Sequence, residues 1–570
     1  MTLRLRRGLT GVGVAAGVMI GVAAICAPID TAADPPFAPQ QADAQAVLDA
    51  LAAARPLDLG GAAVTGLVLP HHRVASDLIA TGMLTAAQGA RPSRILMLTP
   101  DHFKRGTRAF STTLRDFDTA LGRVPTDRRA AQALLGSPHV AASVLFEREH
   151  GVGELLPYVA RLFPGVPVLP VALSIHSTRA QWDHLVERLA PWFDTGTLIV
   201  QSTDFSHYLP REQAVVHDQQ MLNVLAAGDL DALARARQPA HIDSRAAQYV
   251  QMRLQQRRFG ALPIVYGNRN SADTGATGAD DTTSYVAQVY APAARDHVVL
   301  PGDSRTLCVA GDTFFGRHVA HLLRQPPVRE RVLQALRAQL RGCPLLVNLE
   351  GVLSADGHAA HPLQLAMPRD ETLRWLRELG VVAVGVANNH ARDLGDTSYA
   401  EMTQALRAAG FVVLEHGRVE TVGPLRVTAW RDLDNRPVPR AELLGADELA
   451  RAEPTDIAFL HWGREFVAEP GERERSLSRQ LRARAVPLIV GAHPHRASAA
   501  PVLADRSVDP SSPTDAWLDG VLVHSLGNFI FDQRGPRASG ALLQVTVFAQ
   551  GTRAVRLIPI ADVFTWARGR

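Results

Sequence analysis

Short apolar runs that end in His, Asp, Asn or Glu recur along this chain, and they constrain its fold more than any other feature. From residue 64 to about 292 they alternate with helical patterns such as RAAQYVQMRLQQ, and a second series begins at TLCVAGD, residues 306–312. Strands that alternate with helices favour an α/β fold. Ligands of open α/β sheets bind where the strands end, so the polar residues at these ends predict binding sites.

The length of 570 residues predicts two domains, because it exceeds what one ordinary hydrophobic core organises. A charged stretch with Pro and Gly, PAARDHVVLPGDSR, separates the two series of apolar runs. We therefore divide the chain into an N-terminal segment, a first half, a linker and a second half, at residues 1–35, 36–295, 296–304 and 305–570.

The charge pattern argues against a nucleic-acid partner, because the formal net charge is only +3 and no long basic run occurs in the sequence. Lys104 is the sole lysine among the 59 Lys and Arg residues. Arginine-rich surfaces suit bidentate recognition of carboxylate and phosphate groups. Genome composition and recognition of such anionic groups are both open as reasons for this skew.

The N-terminal segment has the pattern of an export signal or a single membrane anchor. Arg4, Arg6 and Arg7 precede an uncharged stretch from Gly8 to Pro28. The Arg6-Arg7 pair also fits a twin-arginine signal, and a buried N-terminal helix is the alternative. We expect the rest of the chain to lie outside the cytoplasm, in a periplasmic or other extracytoplasmic location. It would stay attached to the membrane only if the segment is not cleaved.

Two cysteines, Cys308 and Cys343, lie outside the N-terminal segment. Both lie at or just before apolar strands of the second half. In an oxidising compartment they would form a disulfide, and the alternative is two buried free thiols.

Five strand ends of the second half carry metal-binding side-chain types. They are Gly311-Asp312, Asn348-Leu349-Glu350, Asn389-His390, His461-Trp462-Gly463 and His493-Pro494-His495. Carboxylate, amide and imidazole groups form the mixed N/O set that suits Zn, Mn or Fe. A bridging carboxylate would hold two ions about 3.5–4 Å apart. The predicted ligands are Asp312, Glu350, Asn389, His461, His493 and His495.

The segments GDTFFGRHV, NLEG, ANNHARDLG, HWGREF, GAHPHR and HSLGNFIFDQ resemble the ordered motifs of the CapA family of capsule (poly-γ-glutamate) synthesis proteins, over nearly all of residues 306–570. That family is similar to calcineurin-like metallophosphoesterases, which implies a four-layer αββα sandwich with metal at its sheet ends. The resemblance implies the same six ligands, with His390 as the acid that faces the leaving group.

Two departures from the metallophosphoesterase pattern leave room for a single ion. The usual Asp-x-His opening is absent, since Thr313 and Phe314 follow Asp312, and Glu350 stands where an aspartate is usual. Simpler roles are also open: Asn389 as the cap of a helix starting near Ala391, or motifs that serve packing or ligand binding without hydrolysis. Another polar residue, Asn528, is either a turn residue or a substrate contact.

The first half places histidines at strand ends as well. LPHHRV contains His71, TPDHF contains His102, and STDFSHY contains Asp204 and His207. Two imidazoles and a carboxylate at one edge would match the facial triad of non-haem Fe(II) enzymes. His207 could act as acid or base. A structural role is the alternative for each of these histidines.

Together with EHGVGELLPY and YGNRNSAD, these segments resemble the Memo family, which is similar in fold to class III extradiol dioxygenases, over roughly residues 64–292. The resemblance implies that His71, His102 and a cysteine bind metal, with His207 beside them. HIDSRAAQYV stands where the cysteine is expected, so Asp243 is the nearest substitute and would restore a two-His-one-carboxylate Fe(II) site. The usual HAGY-like segment is altered to HHRV, so His72 competes with His71 as ligand.

The main hypothesis is an exported two-domain metalloprotein whose second half hydrolyses or transfers an ester or amide in cell-surface polymer chemistry. Its first half would be an iron oxidase or a degenerate partner. A second hypothesis is a surface-polymer binding or assembly factor in which both sites recognise anionic glycans or polyglutamate without turnover. The partner expected from the CapA resemblance is an anionic cell-surface polymer or its precursor. A third is that the Memo-like half is the principal, oxidising enzyme.

Overall fold

Four parallel, buried strands form the centre of the first-half sheet, as their continuous apolar runs predict. The computed structural model describes residues 34–40, 43–433, 443–504, 518–533 and 539–569. The strands of this half are β1 (Gly66–Leu69), β2 (Arg94–Pro100), β3 (Phe110–Thr112), β4 (Phe117–Thr119), β5 (Gly122–Val124), β6 (Val140–Ala142), β7 (Val168–Leu173), β8 (Thr197–Ser202), β9 (His207–Leu209), β10 (Ile264–Asn270) and β11 (Thr282–Tyr290). The main sheet has the order β10-β11-β1-β8-β2-β7-β3-β6, with β9 paired to β11. The carboxyl ends of β1, β8, β2 and β7 therefore meet at one edge.

Helices cover both faces of this sheet. They are α1 (Ala44–Ala53), α2 (Ser76–Ala87), α3 (Arg128–Leu135), α4 (His150–Gly153), α5 (Leu156–Leu162), α6 (Arg179–Leu189), α7 (Arg211–Ala227), α8 (Leu230–Arg235) and α9 (Arg245–Phe259). Met83 of α2 and Tyr158 of α5 belong to the buried cluster on one face, and Trp182 of α6 and Met252 of α9 to that on the other. The first half is thus a helix–sheet–helix arrangement.

The second half contains two mixed sheets. Its strands are β12 (Arg305–Thr313), β13 (Leu345–Leu349), β14 (Val352–Ser354), β15 (Ala366–Pro368), β16 (Val381–Gly385), β17 (Val412–Leu414), β18 (Val419–Val422), β19 (Leu425–Asp432), β20 (Ile457–Trp462), β21 (Leu488–Ala492), β22 (Val502–Leu503), β23 (Val521–Val523), β24 (Asn528–Ile530), β25 (Gly540–Val547) and β26 (Arg553–Ile560). One sheet has the order β17-β16-β13-β12-β25-β26, with β24 paired to β12, and the other β18-β19-β20-β21-β23-β22.

The two sheets pack face to face between outer helices. Val309 of β12 and Leu346 of β13 share a buried cluster with Phe459 of β20 and Val490 of β21. The helices are α10 (Arg317–Leu323), α11 (Pro326–Leu340), α12 (Arg369–Glu378), α13 (Gly395–Ala408), α14 (Ala446–Arg451), α15 (Glu472–Ala483) and α16 (Val563–Ala567). α14 and α15 pack on the outer face of the β20 sheet, and the other five on the β12 sheet. This confirms the predicted αββα sandwich.

The two halves are in direct contact, and residues 36–570 form one compact unit. Gln219 Nε2 of α7 donates to the Arg553 carbonyl over 2.9 Å, and Asn223 Nδ2 donates to the Leu518 carbonyl over 2.8 Å. Val298 lies within the proposed linker, 296–304, and is only 1% exposed, so this part of the linker is packed against the protein. The domain limits that we drew from the sequence stay predictions.

Cys308 and Cys343 form a disulfide, with Cα atoms 5.9 Å apart, so the free-thiol alternative is wrong for this structure. The predicted export or anchor segment, 8–28, lies outside the described residues. Among the helices that are described, none has the length and apolar character needed to span a bilayer.

Candidate metal centres

The Asp312 carboxylate lies at the centre of the second-half site because β12 is irregular just before it. A Cβ on Gly311 would lie 2.0 Å from the Gly527 carbonyl oxygen, so this close approach requires glycine. The buried carboxylate accepts the His493 backbone N–H over 3.1 Å and Asn348 Nδ2 over 2.8 Å. These donors fix Asp312 where strand ends of both sheets meet.

Imidazoles from the second sheet face carboxylates of the first. His495 Nδ1 lies 3.1 Å from Oδ2 of Asp312. His461 Nε2 lies 2.8 Å from Asn389 Oδ1 and 3.8 Å from Glu350 Oε1. The strand ends that the sequence singled out therefore do converge.

A strained turn after β21 brings in the last ring. His493 and His495 adopt positive φ angles of 93° and 54°. Residues other than glycine seldom adopt such angles, and those that do are concentrated at functional sites. The His493 ring centroid lies 4.7 Å from that of His461. The structure thus brings together all six predicted ligands: Asp312, Glu350, Asn389, His461, His493 and His495.

Unpartnered buried atoms show that the cluster fits a cation. Glu350 Oε2 and His493 Nδ1 are buried without a hydrogen-bond partner. One ligand atom each from Glu350, His461 and His493 lies within 4.8 Å of the other two. Because unsatisfied buried polar atoms are costly, a metal ion is the ligand that this donor set favours.

The pKa shifts in this site reflect burial and crowding. Burial, followed by the Asp312 charge, raises the pKa of Glu350 well above its usual range. Burial and neighbouring imidazoles lower the pKa of His461 strongly and that of His493 to about 3. For His495 the effect of burial is outweighed by Glu350 and Asp312, which raise its pKa to about 10. A divalent cation would relieve the repulsion between the two carboxylates.

His390 stands at the half-exposed rim of the site. Its Nε2 lies 4.0 Å from Glu350 Oε1, and its Nδ1 lies 2.8 Å from Asp393 Oδ2. Our sequence reasoning missed Asp393, although its position three residues after His390 in NHARD was a signal for it. The carboxylate fixes the ring so that Nε2 points into the site.

Asparagine side chains form hydrogen bonds with residues of the site. Asn388 Nδ2 donates to the Leu349 carbonyl over 2.9 Å, and we did not predict this role. The helix-cap interpretation of Asn389 is wrong, because α13 begins only at Gly395 and has no side-chain cap. Asn528 lies in β24 and its Oδ1 is 2.8 Å from His495 Nδ1, so it orients that ring rather than forming a turn.

A second cluster lies at the strand ends of the first half. His71 Nε2 lies 3.6 Å, and His102 Nε2 3.4 Å, from Oδ2 of Asp243. Asp204 Oδ2 lies 3.4 Å from the same His71 nitrogen. Ligands of a tetrahedral ion with bonds of about 2.1 Å lie about 3.4 Å apart. These two nitrogens, Asp204 Oδ2 and both carboxylate oxygens of Asp243 are buried without hydrogen-bond partners, so the cluster fits a metal ion.

Hydrogen bonds fix both rings of this cluster. Ser202 Oγ lies 3.2 Å from His71 Nδ1, and Glu149 Oε1 lies next to His102 Nδ1. Glu149 also accepts the His102 backbone N–H over 3.1 Å. Outer partners of this kind set the tautomer of ligating histidines. The sequence EHG, which begins at Glu149, is a visible motif, but it gives no indication that Glu149 contacts His102.

Three further histidines border the cluster. The side chain of His72 is 39% exposed, whereas that of His71 is 1% exposed, and His72 Nδ1 faces Asp204 Oδ2 at 3.1 Å. The structure therefore places His71, rather than His72, against Asp243. His207 stacks on His72 with ring centroids 6.3 Å apart, and its buried Nδ1 has no hydrogen-bond partner. His150 lies beside His102, with centroids 4.0 Å apart.

The crowding of these rings is visible in their pKa shifts. Burial, with neighbouring imidazoles, lowers the pKa of His71 strongly and that of His150 to about 3. For His102 the effect of burial is outweighed by Asp243 and Glu149, which raise its pKa to about 10. Burial, followed by the Asp243 charge, raises the pKa of Asp204 well above its usual range.

Comparison with known proteins follows the same division of the chain. A family model described as Memo-like protein matches residues 36–271. Another, described as bacterial capsule synthesis protein PGA_cap, matches residues 306–421 and 435–533. Each model matches less than half of the chain, and together they cover both candidate centres.

Individual relatives agree with these matches. The capsule biosynthesis protein CapA of Bacillus anthracis is 24% identical over 298 residues, covering 45% of this chain and 67% of that protein. The PGA biosynthesis protein CapA of Bacillus subtilis is 27% identical, covering 33% of this chain and 53% of that protein. A MEMO1 family protein of Thermotoga sp. (strain RQ2) is 27% identical, covering 29% and 61%. The chain thus spans about half to two thirds of the length of these relatives.

Among solved structures, an uncharacterized protein of Escherichia coli K12 is 14% identical, covering 39% of this chain and 99% of that one. Its TM-score of 0.29 is too low to support an argument. The sequence matches, by contrast, agree with the two sheet systems and their strand-end clusters. The chain therefore joins a Memo family region in its first half to a bacterial capsule synthesis (CapA, PGA_cap) family region in its second half.

Proposed function

We propose that the second half is a metal-dependent hydrolase or transferase that acts on an ester or amide of an anionic cell-surface polymer or its precursor. The observation that carries this proposal is the convergence of Asp312, Glu350, His461 and His493 from two sheets around unpartnered buried atoms. The relatives named for capsule and PGA biosynthesis support the polymer as the substrate class.

The six clustered residues would hold one or two divalent cations, Mn, Zn or Fe. Such a cation supplies Lewis acidity and lowers the pKa of bound water to near neutrality. The protein's part is to keep the carboxylates and rings in place, as the Asn348 and His493 donors to Asp312 do.

His390 is the proposed general acid. With Nδ1 held by Asp393 at 2.8 Å, its Nε2 is the nitrogen that can give a proton to the departing oxygen or nitrogen. Arg431 Nη1 donates to the Asn388 carbonyl over 3.0 Å beside the imidazoles, which places positive charge near an anionic substrate.

Elemental analysis of the purified chain and two variants tests this proposal. His493→Ala should lower the metal content. His390→Ala should keep the metal content of the wild type, and its activity on phosphodiesters should be at least about 100-fold lower. The exposed His321→Ala is the matched control and should change neither. Unchanged metal content in His493→Ala would contradict the ligand assignment. Full metal content without any turnover of phosphodiesters or amides would favour the binding or assembly factor instead.

A second candidate function belongs to the first half. The placement of His71, His102 and Asp243 favours an Fe(II) site of two imidazoles and one carboxylate, with His207 as acid or base. The reaction would be oxidation of a small substrate. One tightly held iron per chain, together with oxygen consumption, would support this second function. Protein that contains no iron although the second-half site is fully loaded with metal would contradict it.

We also propose that the chain is exported and works outside the cytoplasm, attached to the membrane if the segment 8–28 remains. The charge pattern of residues 1–28 supports this proposal. Cell fractionation tests it, with an Arg6→Ala, Arg7→Ala variant expected to accumulate in the cytoplasm if export is of the twin-arginine type.

A further inference from the structure

A buried histidine lies against the disulfide at the junction of the two halves. His297, Cys308 and Cys343 are 5%, 0% and 2% exposed. One His297 ring nitrogen and the two sulfurs all lie within 4.8 Å of one another. Two sulfurs and an imidazole are a donor set that selects zinc-like cations.

Hydrogen bonds of the backbone fix the segment that carries the His297 ring. Neither buried ring nitrogen of His297 has a hydrogen bond of good geometry. The Leu340 backbone lies close enough to the ring to raise its pKa, against the larger lowering by burial. Its backbone N–H donates to the Gln339 carbonyl over 2.8 Å, and the next residue, Val298, exchanges two hydrogen bonds with the Gln544 side chain. Buried polar atoms are usually well paired, so a ring nitrogen that lies within 4.8 Å of two sulfurs and lacks such a bond points to a ligand.

Two arginines lie near the His297 ring. Arg556 and Arg341 place positive charge near the His297 ring. Arg556 Nη1 also donates to the Asp296 carbonyl over 2.9 Å, which holds this cation at the junction. Cysteine binds metal as the thiolate, so the reduced pair would bring negative charge to this junction.

We propose that reduction of the Cys308–Cys343 disulfide creates a zinc site formed by the two thiolates and one ring nitrogen of His297. A phosphine reductant gives two electrons to the S–S bond, two protons come from water, and the phosphine becomes its oxide. Binding of Zn²⁺ by both sulfurs then releases two protons. The two thiolates balance the charge of the ion, and water completes the tetrahedral set. A disulfide oxidant would reverse the change: it takes two electrons from the zinc-bound thiolates and, with two protons from water, becomes two thiols, while the Cys308–Cys343 bond re-forms and Zn²⁺ is released.

Cobalt binding to the full-length chain tests this proposal. In a Cys26→Ser background, phosphine-reduced protein with Co²⁺ should show a near-ultraviolet sulfur-to-cobalt charge-transfer band, and the disulfide form should not. The other two centres contain no sulfur ligands, so they do not contribute to this band. His297→Ala should weaken the cobalt affinity read from the band at least about tenfold. The exposed His321→Ala should leave it unchanged.

A second readout covers the case in which reduction unfolds the chain. Protein refolded with phosphine and Zn²⁺ should contain one more zinc per chain than protein refolded with its disulfide intact. A thiol titration confirms that both cysteines are free. Equal zinc in the two forms, or unchanged cobalt affinity in His297→Ala, would overturn the proposal.

Discussion

His390 depends for its orientation on a single carboxylate. Oδ2 of Asp393 lies 2.8 Å from Nδ1 of the ring and also accepts the Leu365 backbone N–H over 2.7 Å, so the carboxylate is itself fixed. It sets the tautomer and orientation of the ring.

We expect Asp393→Asn to lower turnover of a phosphodiester by about 10–100-fold while metal content stays unchanged. The amide does not fix the same tautomer and orientation of the His390 ring. The control is the exposed Asp396→Asn, three residues away, which should behave like wild type. A loss of metal in Asp393→Asn would show that the residue supports the ligands rather than the acid.

The Memo resemblance implies a ligating cysteine in the first half, and Asp243 is the substitute that we propose, so its carboxylate should be needed for metal binding there. We expect Asp243→Ala to reduce iron affinity of that centre at least tenfold, and Asp243→Cys to keep binding with a thiolate ligand. Competition with a chromogenic chelator measures this. The exposed Asp231→Asn is the control. Equal affinity in Asp243→Ala would remove it from the ligand set.

The raised pKa of His102 predicts a pH-dependent metal affinity. In the metal-free fold its pKa is about 10, against an ordinary value of 6.5. The proton therefore stabilises the metal-free fold fully below about pH 6.5, and this stabilisation is lost as pH rises through about 10. Metal must displace that proton, so affinity should rise about tenfold per pH unit between about pH 7 and 9. Chelator competition in a His493→Ala background checks this, and a flat profile would contradict it.

At the scale of elements, β12 controls the second-half site through one glycine. Gly311 allows the Gly527 carbonyl to approach, and Asp312 follows directly. We expect Gly311→Ala to lower the free energy of unfolding by about 1–3 kcal/mol and to reduce metal content. Urea unfolding measures the first and elemental analysis the second. Gly278→Ala is the control, because a Cβ there meets nothing within 4 Å. Equal stability of the two variants would contradict the packing argument.

The long apolar strands could be predicted from sequence, and the short or polar ones could not. The apolar runs RILMLTP and PLLVNLE contain β2 and β13, because continuous apolar runs suit strands that are buried on both faces. β3 and β6 have three residues each, too few to show a period, and β26, with sequence RAVRLIPI, mixes charges into its pattern. We missed all three for this reason.

Most candidate ligands could be predicted because they lie at the end of a strand or within four residues after it, as Asp312 in β12 and Glu350 after β13 do. Asp243 lies between α8 and α9, and only the resemblance to the Memo family pointed to it. The residues that orient the ligands could not be predicted, because their role depends on contacts between distant segments. Glu149 lies 47 positions after His102, and Asn528 lies 33 after His495. Such pairings are a property of the folded chain, and composition around either residue carries no sign of them.

At the scale of the whole molecule, the two halves share buried surface. Leu503 and Phe548 of the second half belong to the hydrophobic cluster that covers one face of the first-half sheet. The helix α7 also contacts β26 through Gln219 and the segment before β23 through Asn223. Unfolding of either half would therefore expose apolar surface of the other.

This shared surface predicts that both halves unfold in one transition and that a junction variant destabilises both. Gln219 accepts the Arg553 backbone N–H over 2.7 Å and donates to its carbonyl over 2.9 Å. Gln219→Ala leaves both groups without these partners, which should cost about 1–3 kcal/mol. Calorimetry should show a single transition at lower temperature, and hydrogen exchange should accelerate in β2 and β20 alike. The exposed Gln480→Ala should change neither. Two separate transitions, with only one shifted by Gln219→Ala, would show that the junction holds the halves together without coupling their stability.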